Sequence, residues 1–429
     1  MAGRSSPSPF DLAYGALLER ARDGARPVPE RFRAAMEAGD LAASRNADKA
    51  VMAYRLAAAL DPLDGRAAIA AGAQLAKLGA YGDARTLAGE AFRAALDESV
   101  RADAAFLLGE IALAAEAVDE ATDAFMAAEQ LFDGIHRRDR TDRDCLHAIA
   151  RLNLRLTDVA LMRGDREAAA KTLPKAASLL DALQRQGGDD PALAADARAC
   201  IDRQTDLALA AGDLAAASLW LGRLLPLAER AAAGREPSAL RNLAAARLKE
   251  SRLAEHKGDS VRAIAAADQA LGRLSALTAQ RSEDATAQRE LARALKRRAE
   301  LDLRYGGRAL AFDFAAQAGN LLAALLEKNT AHPGLSGERA AAAVLAGDAA
   351  FQAQAYDAAK AQYETAQRLC EAFAALKGPW PVALATAHDR LGDVALAQGA
   401  AGQSRHHYAA SLRLRRPRGQ GGGDGPEGL

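Results

Sequence analysis

RLNLRLTDVALMRGDREAAAKTLPKAASLLDAL, residues 151–183, is the stretch whose reading decides the fold. Leu152, Leu154, Leu156, Val159, Ala160 and Met162 give a helix with one apolar face. Gly164 and Asp165 then interrupt it. Glycine tolerates the left-handed conformation that ends a helix, and the aspartate can accept hydrogen bonds from the free amides that begin the next. A second apolar face follows through Ala168, Ala169, Leu173, Ala176, Leu179 and Leu180, so the stretch predicts a helical hairpin.

The same arrangement returns along the chain. A small residue stands at Ala38, Gly72, Gly109, Thr157, Thr205, Ser251, Ala299, Gly347 and Gly392, at spacings of roughly 34 to 48 residues. A second small residue follows on the next helix at Ala50, Ala84, Ala121, Ala169, Ala217, Ala263, Ala311, Ala359 and Ser404. A third set, Ala57, Ala91, Ala128, Ala176, Ala270, Ala318 and Ala366, completes the pattern, with Leu224 and Ser411 departing from it. The interrupting glycine recurs as Gly79, Gly164, Gly212, Gly258, Gly306 and Gly399, and is replaced by Arg45, Glu116 and Gln354. Small residues at fixed places are expected where helices touch most closely, because a larger side chain there would overpack the contact by about 1–3 kcal/mol.

Composition agrees. Half of the 429 residues are hydrophobic but only 4% are aromatic, and the apolar content is mostly alanine and leucine. Strands favour β-branched and aromatic residues, so an all-helical chain is expected.

The pattern resembles the tetratricopeptide repeat. The resemblance rests on Leu108-Gly109 with Ala121, Phe125 and Ala128, on Gly347 with Ala359, Tyr363 and Ala366, and on Ala50, Tyr54, Ala57 and Pro62. Leu391-Gly392-Asp393-Val394-Ala395 through Gly399 looks like the longer bacterial variant. The family's early tryptophan is missing from every unit. The resemblance implies a right-handed all-α solenoid of about nine stacked helical hairpins over residues 31–416. Residues 1–30 are expected to be a partly disordered segment with a short helix between Asp11 and Arg22, and residues 417–429 a disordered Gly-rich tail. The Gly- and Pro-rich stretches 187–191, 234–237, 332–334 and 377–381 are expected to stop helices between units.

The charge balance is even, with 56 basic and 56 acidic residues. That argues against bulk nucleic-acid or membrane-surface binding. Three cysteines, Cys145, Cys200 and Cys370, are too few and too far apart for a disulfide framework. Residues 1–10 hold no apolar run of the signal-peptide kind, and no stretch approaches the ~18 uninterrupted apolar residues of a membrane span. A cytoplasmic location is expected.

No catalytic, cofactor or metal constellation emerges. His136-Arg137-Arg138-Asp139 lacks the downstream Asn of a kinase catalytic loop, and Asp313-Phe314 continues with Ala315 rather than Gly. His406 and His407 are adjacent, so on a helix they point in different directions. The cysteines sit beside apolar residues on helical patterns and read as small buried hydrophobes.

Two successive first helices are locally basic. In the resembled fold the first helix of each hairpin lines the concave face, and the side chains expected there are Lys249, Arg252, His256, Lys296, Arg297 and Arg304. They define a candidate groove for an acidic peptide or protein partner, against the plainer reading of a solvated, partly salt-bridged helix face. The functional expectation is a non-enzymatic scaffold that binds protein. The alternative is a sensor or regulatory arm of a bacterial signalling system whose catalytic module is a separate chain.

Overall fold

The computed structural model describes residues 8–43, 45–187, 190–328, 332–373 and 380–415. Among them are 19 helices and no strand, so the chain is all-α. It divides into two compact units, residues 1–207 and 208–429.

The first unit opens with α1 (Pro9–Arg22). Four helix pairs follow: α2 (Val28–Ala43) with α3 (Ala47–Leu60), α4 (Arg66–Lys77) with α5 (Tyr81–Ala94), α6 (Glu98–Ala114) with α7 (Val118–Arg138), and α8 (Arg143–Met162) with α9 (Arg166–Arg185). Helix α10 (Pro191–Ala211) runs across the division. The second unit holds α11 (Leu214–Ala232) and four pairs: α12 (Pro237–His256) with α13 (Ser260–Gln280), α14 (Ala285–Tyr305) with α15 (Arg308–Lys328), α16 (Pro333–Gln352) with α17 (Tyr356–Glu371), and α18 (Trp380–Ala397) with α19 (Ala401–Arg415). From α1 to α9 and again from α11 to α19 each helix packs on the next along the chain, and the first helices α4 and α6, α6 and α8, α12 and α14, α14 and α16, and α16 and α18 also meet.

The recurring small residues lie in these seams. Thr157, Ser251 and Ala299 are buried on first helices; Ala121, Ala169, Ala263 and Ala359 are buried at the start of the second; Ala128, Ala176, Ala270 and Ala366 are buried deeper along it. Four repeats add an aromatic clasp. The rings of Phe125, Tyr363 and Tyr408 lie against Gly109, Gly347 and Gly392, where an added Cβ would stand closer than 3.0 Å to each ring or at that distance from it. In the first repeat the residue against the ring, that of Tyr54, is Gly39 rather than the expected Ala38. Where the small residue is Thr157 instead, its hydroxyl lies 2.8 Å from that of Thr172 on the partner helix.

Eight of the hairpin turns share one backbone conformation, while Arg45 in the first is not among the described residues with positive φ. Gly79, Gly164, Gly212, Gly258, Gly306 and Gly399 all have positive φ, and so do the substitutes Glu116 (φ 58°) and Gln354 (φ 62°). Asp165, Asp213 and Asp259 each cap the following helix by accepting a backbone N–H three residues on, at 2.9 Å.

The Pro-rich boundaries do more than stop helices. Pro237 and Pro333 occupy the opening turn of α12 and α16, where a missing N–H costs nothing. Two further prolines, Pro174 and Pro226, lie inside second helices. The expected N-terminal helix begins at Pro9, slightly earlier than Asp11. It is tied down by Tyr14, whose hydroxyl donates to the Lys49 carbonyl at 2.7 Å. The Gly-rich tail lies outside the described residues. Among those residues α15 alone is long and apolar enough to cross a membrane. It is packed between α14 and α16, with Ala311, Ala315, Ala318, Leu322 and Leu325 buried.

Candidate protein-binding site

A ladder of opposite charges runs across the first helices, set by position relative to the small anchor residue. In three repeats a cation two residues before the anchor, Arg155, Arg203 or Arg390, meets an acid one residue after the anchor of the preceding repeat, Glu110, Asp158 or Asp348; on α16 Leu345 takes the cation's place. In the first unit Arg155 on α8 donates to Glu110 on α6 at 2.8 and 3.0 Å and lies 3.2 Å from Asp158 on its own helix. Arg203 on α10 grips Asp158 through two bonds, of 2.7 and 2.5 Å. In the second unit Arg390 on α18 lies 2.9 Å from Asp348 on α16 and 3.5 Å from Asp393. A planar guanidinium fits such two-oxygen contacts better than an ammonium does.

The ladder breaks between α12 and α14. After the anchor Ser251 comes Arg252 instead of an acid, so Arg297 must find other partners. Its Nε donates to Ser251 Oγ at 3.0 Å and its Nη2 to the Ser251 carbonyl at 3.1 Å. The same guanidinium pairs with Glu255 at 2.6 Å and with Glu300 at 3.2 Å.

The six expected groove residues therefore divide. Arg297 and Lys249 are buried, with 6% and 7% relative exposure, so they belong to the seam between helices rather than to an open face. Arg304 is exposed and pairs with Glu255 at 2.5 Å. His256 is exposed at the end of α12, Arg252 is exposed one turn before it, and Lys296 is half-buried. Neither Arg252 nor Lys296 makes an ion pair among the described residues. They are close enough to act on each other, and Arg293 acts on Lys296 from the same helix.

Two acids, Glu338 and Glu290, complete the site, the first of them on another helix. Glu338 on α16 accepts from both Arg289 and Arg293, at 2.9 and 2.7 Å. Its second oxygen, Oε2, is buried without a hydrogen bond. Glu290 sits on α14 between Arg241, Arg289 and Arg293. Nothing in the local sequence of α14 announces Glu338; only the repeat register, which sets α14 against α16, brings it there.

Burial and neighbours displace the ionisation of this cluster. Lys296 is pushed below the usual lysine range, first by burial and then by Arg293 and Arg252, with Glu338 and Glu300 opposing. Glu290 is pushed up by burial, against the pull of Arg293 and Arg241. Burial also opposes ionisation of Glu338, but Arg293 and Arg289 outweigh it and hold its pKa below the ordinary carboxylate value. Ionisable groups held away from their usual state in one place mark a site where a charged ligand would be felt.

Other sequence candidates fall elsewhere. His136, Arg137 and Arg138 end α7, and Asp313 and Phe314 lie within α15. Cys145, Cys200 and Cys370 are buried, and burial raises each thiol to about 11. Among the described residues no group of three or more His, Cys, Asp or Glu side chains could hold a metal ion.

The fold these features define is a helical-repeat fold of the tetratricopeptide type. No family model matches the sequence, and no curated protein does. The likeness is to solved structures. A Rap protein complexed with competence and sporulation factor superimposes with a TM-score of 0.56 at 10% identity, over 91% of this chain and 98% of that one. Aspartyl phosphate phosphatase F from Bacillus subtilis gives 0.47 at 12% identity, over 100% and 99% of the two chains. BtubC from P. vanneervenii gives 0.45 at 15% identity, over 62% and 98%.

Proposed function

We propose that this chain is a non-enzymatic scaffold that binds an acidic segment of a protein or peptide partner on the first helices of its second unit. The observation that carries the reading is the substitution of Arg252 for the ladder's acid, beside the half-buried Lys296. Arg155, Arg203 and Arg390 each meet the acid that directly follows the anchor of the preceding repeat, whereas Arg297 reaches further along α12 to Glu255. Here the position after the anchor carries a cation, Arg252, which acts on Lys296 and makes no ion pair among the described residues, and an incoming carboxylate would supply the missing rung. Arg304 extends the positive surface toward the end of α12, where His256 is also exposed, while Arg297 and Lys249 hold the helices that carry it. Such a site binds without making or breaking bonds, and a cytoplasmic setting suits its three unpaired cysteines.

A fluorescein-labelled decaglutamate peptide tests the charge logic by anisotropy at low salt. Arg252→Glu with Lys296→Glu is expected to weaken its binding about tenfold or more, and rising salt to weaken it in the native chain. Equal affinity in the double variant, or equal binding of decalysine, would end the reading.

A second reading makes the chain a regulatory arm that acts on a separate catalytic chain in bacterial signalling. It is favoured by the Rap protein of the same fold, which was crystallised with competence and sporulation factor. Capture of a single signalling enzyme by the native chain, lost in the same double variant, would join the two readings.

A further inference from the structure

Two imidazoles meet at the end of the chain in a way the adjacent His406 and His407 do not suggest. His388 on α18 and His407 on α19 face each other with their Nδ1 atoms 3.1 Å apart and their ring centroids 5.4 Å apart. His388 is buried, His407 half-buried and His406 exposed. The first two are therefore held in place by the packing of one hairpin.

We propose that His388 and His407 form a two-imidazole site for a divalent transition-metal ion. The geometry carries the proposal. A zinc–nitrogen bond of about 2.0–2.1 Å places two ligands of a tetrahedral ion about 3.3 Å apart, and two neighbouring ligands of a square-planar ion about 2.9 Å apart. The observed 3.1 Å falls between the two. Two nitrogens facing each other need something between them: a proton on one ring, or a metal ion on both. Burial disfavours the protonated form of each ring, so both are available as neutral ligands. The charges acting on the pair are mixed: Glu371, Asp389, His406 and Arg413 on His388, and Lys360, Glu364 and His406 on His407. They do not add up to a cationic barrier. Because the chain supplies two ligands, the remaining coordination positions stay open to water or to a donor from outside.

The test uses the full untagged chain and the metal ions alone. Titration calorimetry with Zn(II) and Ni(II) at pH 7.5 is expected to show one equivalent bound, and Cu(II) at one equivalent is expected to show coupling to two nitrogens in its electron paramagnetic resonance spectrum. His388→Gln and His407→Gln should each weaken binding roughly tenfold or more, whereas His406→Gln should weaken it less than about threefold. Circular dichroism checks folding, and if His388→Gln does not fold, the half-buried His407 decides alone. Absence of stoichiometric uptake, a single-nitrogen Cu(II) spectrum, or unchanged affinity in His407→Gln would overturn the site.

Discussion

The ring of Tyr408 lies across Gly392 so closely that a Cβ on that glycine would stand 2.7 Å from the ring. The tyrosine hydroxyl reaches past it to donate to Asp393 at 2.7 Å. The clasp recurs with Tyr363 on Gly347 and Asp348, and with Tyr54 on Gly39 and Asp40. Gly, ring and carboxylate act as one device that fixes how two helices of a hairpin approach. Gly347→Ala must displace a buried ring, and overpacking of this kind costs about 1–3 kcal/mol. The urea midpoint of the second unit is expected to fall accordingly. Repeats without the glycine put Leu or Ala where the ring would be, as at Leu173 and Ala267. Adding Tyr363→Leu to Gly347→Ala is therefore expected to cost less than the two single losses together, and a strictly additive pair would sink the clasp.

Gln354 occupies, with φ 62°, the left-handed turn position that six other repeats give to glycine. A side chain in that region costs on the order of 1 kcal/mol, while glycine also adds freedom to the unfolded chain. Gln354→Gly is expected to raise stability by about 0.5 kcal/mol, and Gly164→Ala to lower it by about 1 kcal/mol. Thermal melts of the two variants check the pair; opposite signs would show that the turn takes another shape.

Much of this architecture was legible before any coordinates. Helix pairs, turn positions and buried alanines follow from spacing alone, because small residues and left-handed turns must recur wherever helices pack closely. The charge ladder was harder to see. Arg155 and Glu110 are 45 residues apart, so neither sequence neighbourhood names its partner. The basic helices were read as a single face, yet Arg297 turned out to be the rung of a broken ladder and Lys249 a seam residue. His388 escaped notice for the same reason. Its partner His407 is 19 residues away on the other helix of the hairpin, while the conspicuous adjacent rings of His406 and His407 meet only edge to face, with centroids 5.7 Å apart.

Burial decides which ion pairs matter. Arg297 is almost fully enclosed and satisfies Glu255, Glu300 and Ser251 together. Removing it leaves Glu255, itself only 12% exposed, with Arg304 alone. Arg297→Ala is expected to cost about 3 kcal/mol, in the range for breaking a buried pair. Arg297→Lys should recover only part of that, because an ammonium cannot fork between Ser251 and the two acids. Lys171 and Glu167, by contrast, are 69% and 81% exposed. Lys171→Ala should cost less than about 0.5 kcal/mol, and even that should vanish in high salt. Denaturant unfolding of the three variants at low and high salt measures the contrast; a large, salt-insensitive loss at Lys171 would overturn it.

The histidine pair makes the end of the chain sensitive to mild acid, and the sign follows from burial. Both imidazoles are held below their ordinary value of 6.5, first by burial, with further lowering of His407 by His388 and His406. Above that value the rings are neutral in the folded and unfolded chain alike, so they add no pH dependence. As pH falls through about 6.5 the unfolded chain takes up protons that the folded one refuses, and stability drops. The loss levels off only below the depressed folded pKa. Melting measured with a chelator present should therefore fall between pH 7 and pH 5 more steeply in the native chain than in His388→Gln with His407→Gln. The neighbouring Glu364, Glu371, Asp389, His406, Arg413 and Lys360 remain in both, so their titration cancels in the comparison. Parallel melting profiles across that window would show that the facing imidazoles are uncoupled from folding.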